Sequence, residues 1–260
     1  METSQAGPRP GIAKSEAPPP CAADDIFVRI VSLGAGELGI DLPPGSLAAF
    51  TGHFRLLEAR GQNMNLTAIK GAEDVARLHF LDSLALLNAV RFENARVIDV
   101  GSGAGFPGVP LKIAEPSINL TLVDSTDKRV AFLKELCAVQ GIGADCVHMR
   151  AEDAGRDSKM RERYDIAVSR AVAELNVLCE LCLPLVRTGG FFIAMKSVNS
   201  SDETRFAKSA ISTLGAELQG YYDYTIPGTD IVHRAVIIKK AAHTPPCYPR
   251  RFAQIKKSPL

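Results

Sequence analysis

The sequence predicts an α/β fold built on a mostly parallel sheet with crossover helices, and three observations predict it. A short apolar strand, Arg96-Val97-Ile98-Asp99-Val100, runs into the glycine-rich turn Gly101-Ser102-Gly103-Ala104-Gly105, and an apolar segment of helical character follows from Val109 to Ala114. From Arg96 onward, short apolar runs alternate with stretches of helical periodicity, the pattern of βα units. A carboxylate, Asp124, closes the second strand (Asn119 to Val123), 23 positions after Gly101. An acid near that offset takes the ribose hydroxyls of a nucleotide-type cofactor.

Ahead of this core, residues 1–23 hold five prolines and few large apolar groups. They cannot bury enough surface to offset the entropy of ordering and are expected to be disordered. Ile26, Phe27, Ile30, Val31 and Leu33 have helical spacing, with Gly34 expected to stop the helix. After Pro43-Pro44-Gly45, Ser46 is placed to cap a helix whose apolar face is Leu47, Phe50, Phe54 and Leu57, ending at Gly61. Asn65 to Ile69 reads as an extended link, and a third helical stretch from Ala72 to Ala89 carries Val75, Leu78, Leu81, Leu84 and Leu87. The expected organisation is a leader over 1–23, a helical part over 24–92, an α/β core over 93–240 and a basic tail over 241–260.

Within the core, Ser125 to Gln140 reads as a helix, Cys146 to Met149 as strand three and Tyr164 to Ser169 as strand four. Glu174 to Val186 is helical, and Gly189-Gly190 turns into strand five, Phe191 to Lys196. A helix from Asp202 to Leu214 precedes two last strands, Leu218 to Thr225 and Ile231 to Lys239. The short link Ile226-Pro227-Gly228-Thr229-Asp230 makes those two an antiparallel hairpin, seven strands in all.

Composition narrows the class. At 260 residues and 46% hydrophobic, the chain can bury a full core. No apolar run is long enough to span a membrane, and no secretory signal opens the chain, so a cytoplasmic protein is expected. Six cysteines are scattered rather than framed, which suits a reducing compartment. Cys179 and Cys182 lie in a leucine-rich helical run without a second pair, so buried thiols are expected and no metal site. The net charge is +1, yet from Ile231 to Leu260 there are seven Lys/Arg and no Asp or Glu. Such an excess fits either a polyanion contact or a solvated tail.

A ligand should sit outside the carboxyl ends of the parallel strands. Asp124, Ala151-Glu152, Ser169-Arg170 and Lys196 fall there. Glu152 and Lys196 read equally well as ordinary loop charge; Arg170, directly after an apolar strand, is better placed. The turn itself is G-x-G-x-G, with Phe106 where a dinucleotide fingerprint needs its third glycine.

That turn resembles the first motif of the class I S-adenosylmethionine (SAM) methyltransferases, whose sheet carries an antiparallel hairpin at its edge. The resemblance extends from Asn65 to the C-terminus. Asn65-Leu66-Thr67-Ala68-Ile69, His79-Phe80-Leu81-Asp82-Ser83-Leu84, Asp99 to Gly108, Leu122-Val123-Asp124-Ser125, Lys128-Arg129, Ala151-Glu152, Ser169-Arg170-Ala171 and Lys196 are similar, in this order, to the motifs of ribosomal RNA small subunit methyltransferase G. This family, also called glucose-inhibited division protein B, methylates guanine N7 in small-subunit (16S) ribosomal RNA. The resemblance implies cofactor contacts at Gly101, Gly103, Phe106, Asp124, Ala151, Glu152 and Arg170. It implies RNA contacts at Arg77, His79, Lys196, Arg250, Arg251, Lys256 and Lys257, and a monomer acting on free RNA or the 30S subunit. Ser197 stands where the family commonly has glycine, and Phe252, Ala253 and Ile255 depart from its tail pattern.

The implied chemistry needs no strong base. Guanine N7 carries a free lone pair, so the expected rate comes from alignment. No catalytic acid or base is therefore expected, and Arg170, Lys196 and His79 are positioning groups. The place after strand four holds Ser169-Arg170-Ala171-Val172 rather than Asn/Asp-Pro-Pro-Tyr/Phe, which argues against attack by an exocyclic amine. Two other classes share parts of the pattern. A small-molecule methyltransferase has no use for a basic tail, and a non-catalytic ribosome binder has no use for intact cofactor motifs.

Overall fold

The computed structural model describes residues 22–170, 173–198 and 201–260. The leader expected over 1–23 lies outside them except for its last two residues, as do Ala171 and Val172 of the motif after strand four.

Five strands run parallel: β1 (Arg96–Val100), β2 (Asn119–Asp124), β3 (Ala144–His148), β4 (Tyr164–Arg170) and β5 (Val186–Ser197). β6 (Ala216–Thr225) and β7 (Val232–Lys240) form the expected hairpin, with β7 antiparallel to both β5 and β6. The order is β3-β2-β1-β4-β5-β7-β6. It reverses between β1 and β4, beside the glycine turn, and a crevice opens at such a reversal.

Alternation along the strands sends side chains to two covered faces, as a parallel sheet requires. Val97, Leu120, Leu122, Ile166, Val168 and Ile193 point into one apolar cluster. Its cover is α1 (Ala22–Glu37), α2 (Ser46–Met64), α3 (Ala72–Val75), α4 (Asp82–Leu84), α5 (Gly108–Ala114) and α6 (Asp127–Gln140). Ile98, Val100, Val123, Ala167, Phe192 and Val236 point into the other cluster. That side carries α7 (Ala151–Ala154), α8 (Leu175–Cys182), α9 (Ser201–Phe206), α10 (Lys208–Thr213) and α11 (Phe252–Lys257). Each large apolar side chain buried this way contributes about 1.5–3 kcal/mol. Helices from residues 24–92 therefore share one core with the sheet, and the last helix of the basic tail inserts Ile255 into the other.

Several boundaries differ from expectation. Gly34 does not stop α1; a Cβ there would lie 2.3 Å from Leu81 Cδ1, so the glycine lets that leucine pack against the helix. The stop is Gly39, left-handed at φ 70°, with Leu38 N–H bonded to Gly34 O and Ile40 N–H to Ala35 O. α2 continues past Gly61 and ends on left-handed Asn65. Ser46 makes no capping bond but donates its hydroxyl to Ile113 O across the layer. The helix expected through Val186 breaks at Pro184, which cannot donate to a helical ladder, and becomes a 3₁₀ turn at Leu183–Leu185. Gly189 and Gly190 then lie within β5. The stretch after α3 is a π-helical turn, Ala76–Leu81, and a 3₁₀ turn, Ala85–Asn88, flanks α4 on its far side. The helix expected from Asp202 to Leu214 is divided between α9 and α10.

Candidate active site

A cavity of about 940 Å³ opens over the carboxyl ends of β1, β2, β4 and β5 and the start of β7. The glycine turn forms its floor. Gly101, Gly103 and Gly105 all take positive φ, at 77°, 56° and 94°, which side chains with a Cβ rarely adopt. Two carboxylates clasp the turn. Asp99 Oδ2 accepts the Gly108 N–H at 2.8 Å, while Asp124 Oδ2 accepts the Gly103 N–H at 3.0 Å and Oδ1 the Thr126 N–H at 2.8 Å. Asp99 is wholly buried and its Oδ1 has no partner; burial pushes its pKa up to about 7.

Phe106 lies between two imidazoles. His79 stacks on one face with centroids 4.5 Å apart, and His53 on the other at 4.7 Å. His53 donates from Nε2 to Ala104 O inside the glycine turn at 2.8 Å. Burial lowers the pKa of His53 to about 4; burial and then the Arg170 charge lower that of His79 to about 3. Both rings are therefore neutral at physiological pH. Arg170 reaches the same cluster from the end of β4. It donates to Leu78 O at 3.0 Å, Asp82 Oδ2 at 3.1 Å and His79 Nδ1 at 2.8 Å, with its guanidinium 5.2 Å from the Phe106 ring centre. Asp82 also accepts Tyr224 Oη–H and His233 Nδ1–H, both at 2.8 Å. Those hydrogen bonds and the Arg170 charge offset its burial and lower its pKa.

The structure brings Gly101, Gly103, Phe106, Asp124, Ala151, Glu152 and Arg170 to one cavity wall, with His79 and Lys196. It turns several expected RNA contacts inward. His79 is enclosed, donating from Nε2 to Thr67 Oγ1 at 2.7 Å. Lys196 Nζ is held by Ala173 O at 2.7 Å and Glu203 Oε2 at 2.6 Å. Arg77 pairs with Glu73 along its own helix. Arg250 folds onto Glu180, a fully buried carboxylate. Arg251, Lys256 and Lys257 are exposed, and Phe252 of the tail lines the cavity.

His53, Asp82, Tyr224 and His233 were not among the expected site residues, nor were Arg129 and Arg150 at the cavity wall. Helical spacing was the available signal for His53, three residues after Phe50 and four before Leu57 on the inward face of α2. Tyr224 and His233 meet through the hairpin register, which pairs them directly. Among the described residues there is no cluster of three or more His, Cys, Asp or Glu fit for a metal, and no helix long and apolar enough to cross a membrane. Burial pushes the thiols of Cys179 and Cys182 up, as suits inert core groups.

The family model for rRNA small subunit methyltransferase G matches residues 46–227. The chain belongs to this family. Ribosomal RNA small subunit methyltransferase G of Alkaliphilus oremlandii is 46% identical over 233 residues, covering 89% of this chain and 98% of that protein. The protein of the same name from Acetivibrio thermocellus is 41% identical over 233 residues, covering 89% and 96%. A solved structure described for the conversion of a disulfide bond into a thioacetal group during echinomycin biosynthesis superposes with a TM-score of 0.50 at 15% identity. It covers 61% of this chain and 81% of that one, a likeness of fold alone. The methyltransferase G match contains the glycine turn, Asp124, Glu152 and Arg170; His233 and the tail lie beyond its end.

Proposed function

We propose that this chain transfers a methyl group from SAM to N7 of a guanine in small-subunit ribosomal RNA, as a monomer in the cytoplasm, on free RNA or on the 30S subunit. The observation that carries the reading is the turn of three positive-φ glycines, clasped by Asp99 and Asp124 at the reversal of strand order, in a chain of this family.

The residues present fit the cofactor. A Cβ built on Gly103 meets nothing nearer than Gly101 O at 3.9 Å, so bare backbone faces open space where the amino-acid end would lie. Each oxygen of Asp124 accepts one backbone N–H and keeps a lone pair for a ribose hydroxyl. Phe106, Ala151, Glu152 and Arg170 complete the enclosure. SAM supplies an electrophilic methyl on a sulfonium. The protein's part is alignment, because N7 attacks with its own lone pair and loses no proton. Neutral His79 and the Arg170 guanidinium brace Phe106 rather than move protons, and the exposed Arg251, Lys256 and Lys257 are the tail cations free to meet phosphates.

Incubation with labelled SAM and small-subunit RNA, followed by mass mapping, is expected to find 7-methylguanosine at one position. Label confined to small metabolites, or found on an exocyclic amine, overturns the reading.

A further inference from the structure

The groups assigned to the cofactor lie over β1, β2 and β3 and reach Arg170 at the end of β4, yet the cavity continues across β5 and β7, where Met195, Ser197, Ile231 and His233 line it. β4 and β7 are two strands apart in the sheet order, about 10 Å. A purine seated over β5 with N7 turned toward the cofactor side can therefore offer its opposite edge to a hydrogen-bond partner on β7.

His233 stands at that far side. Its Nδ1–H donates to Asp82 Oδ1 at 2.8 Å, and Tyr224 packs edge-on against the ring with centroids 6.3 Å apart. Asp82 is itself fixed by Tyr224 Oη and Arg170, so the imidazole is held in one orientation and one tautomer. In the neutral ring the lone pair is on the other nitrogen, Nε2, which has no hydrogen-bond partner among the described residues. The hydrogen bond to Asp82 raises the pKa of the ring, so the neutral, accepting form is the one present above that pKa.

Resting on the guanine-N7 reading above, we propose that His233 determines base specificity by accepting the N1–H of the target guanine at Nε2. As the N7–methyl bond forms and the sulfur–methyl bond breaks, the electron pair of the broken bond returns to sulfur and positive charge passes to the purine. The N1–H then becomes a stronger donor, so this hydrogen bond strengthens toward the transition state, which is the condition for accelerating the step. Adenine presents a lone pair at N1, and two acceptors would face each other.

The test uses the full chain, labelled SAM and small-subunit RNA in which the mapped target guanosine is replaced by 2-aminopurine, which keeps N7 but lacks the N1–H. Wild type is expected to prefer guanine in kcat/KM by about tenfold. His233→Asn can still donate to Asp82 but has nothing at the Nε2 position, so its preference should fall to near one. His233→Gln, with an acceptor near that position, should recover part of it. The ratio is taken within each protein, so a loss of folded fraction cancels. A 6-thioguanine substrate retains the N1–H and weakens the O6 acceptor; its rate relative to guanine should change far less between wild type and His233→Asn than that of 2-aminopurine. A wild-type 2-aminopurine ratio in His233→Asn, or a change confined to 6-thioguanine, overturns the inference. Wild type that makes no 7-methylguanosine at all overturns the parent reading instead.

Discussion

Arg250 closes on Glu180 with three hydrogen bonds: backbone N–H and Nε to Oε1, each 2.8 Å, and Nη2 to Oε2 at 2.6 Å. The carboxylate is fully buried in α8, so the pair ties the C-terminal segment to the core. Arg161 adds to the attachment by donating to the carbonyls of Thr244 and Tyr248. Replacing Arg250 with alanine leaves a buried charge unpaired and is expected to cost about 3–5 kcal/mol in denaturant unfolding. An unchanged midpoint would mean that Glu180 finds water or another partner.

Neutralising Arg251, Lys256 and Lys257 together should act on RNA instead. The three are exposed, so stability should stay near wild type. Every phosphate left without its cation should lower the slope of log affinity against log salt by roughly 0.7–0.9. A triple variant with the full slope would move RNA recognition to Arg129 and Arg150 at the cavity wall.

Gly103→Asp is expected to abolish SAM binding while the protein stays folded. Its φ of 56° is one that aspartate tolerates better than most residues, and no protein atom blocks the new Cβ. The added carboxylate would instead fill the space over the turn. Calorimetry on the folded variant decides it, and wild-type affinity would remove the turn from the site.

Asp124→Ala should weaken SAM binding by about 1.5–3 kcal/mol, through loss of charge-assisted hydrogen bonds. The structure adds a second route to that loss, because Asp124 also holds the Gly103 and Thr126 N–H groups. Asp124→Asn keeps one acceptor oxygen and should lose less. Equal affinities for wild type and both variants would exclude the ribose contact.

Acid should weaken the fold through the two stacked imidazoles. His53 is held at about 4 and His79 at about 3, below the ordinary 6.5. The unfolded chain therefore binds more protons between about pH 6.5 and 4, and stability rises with pH across that window. The contribution is complete above pH 6.5 and lost as pH falls toward 4; for His53 it amounts to about 2–3 kcal/mol. In His53→Gln, which does not titrate, the fall in stability between pH 6.5 and 4 should be visibly shallower. Superimposable pH profiles for wild type and variant would contradict this.

The sequence by itself determined the glycine turn, the acid closing β2, the parallel core and the final hairpin. These rest on local properties: backbone freedom at glycine, the periods of strand and helix, and the shortness of a connection. Arg170 is placed at the cleft by its position directly after an apolar strand, whereas Phe106 enters as a site residue only through the family resemblance. Only the tertiary structure decided which charges are free. Arg250 and Arg251 are neighbours, yet one spends its charge on a buried carboxylate from α8 and the other faces water. Asp82 gathers Tyr224 from 142 residues away and His233 from 151, a meeting fixed by the hairpin register and the seating of the π-helical turn on the sheet. Pairing and burial depend on what packs across the chain, and no window of sequence carries that information.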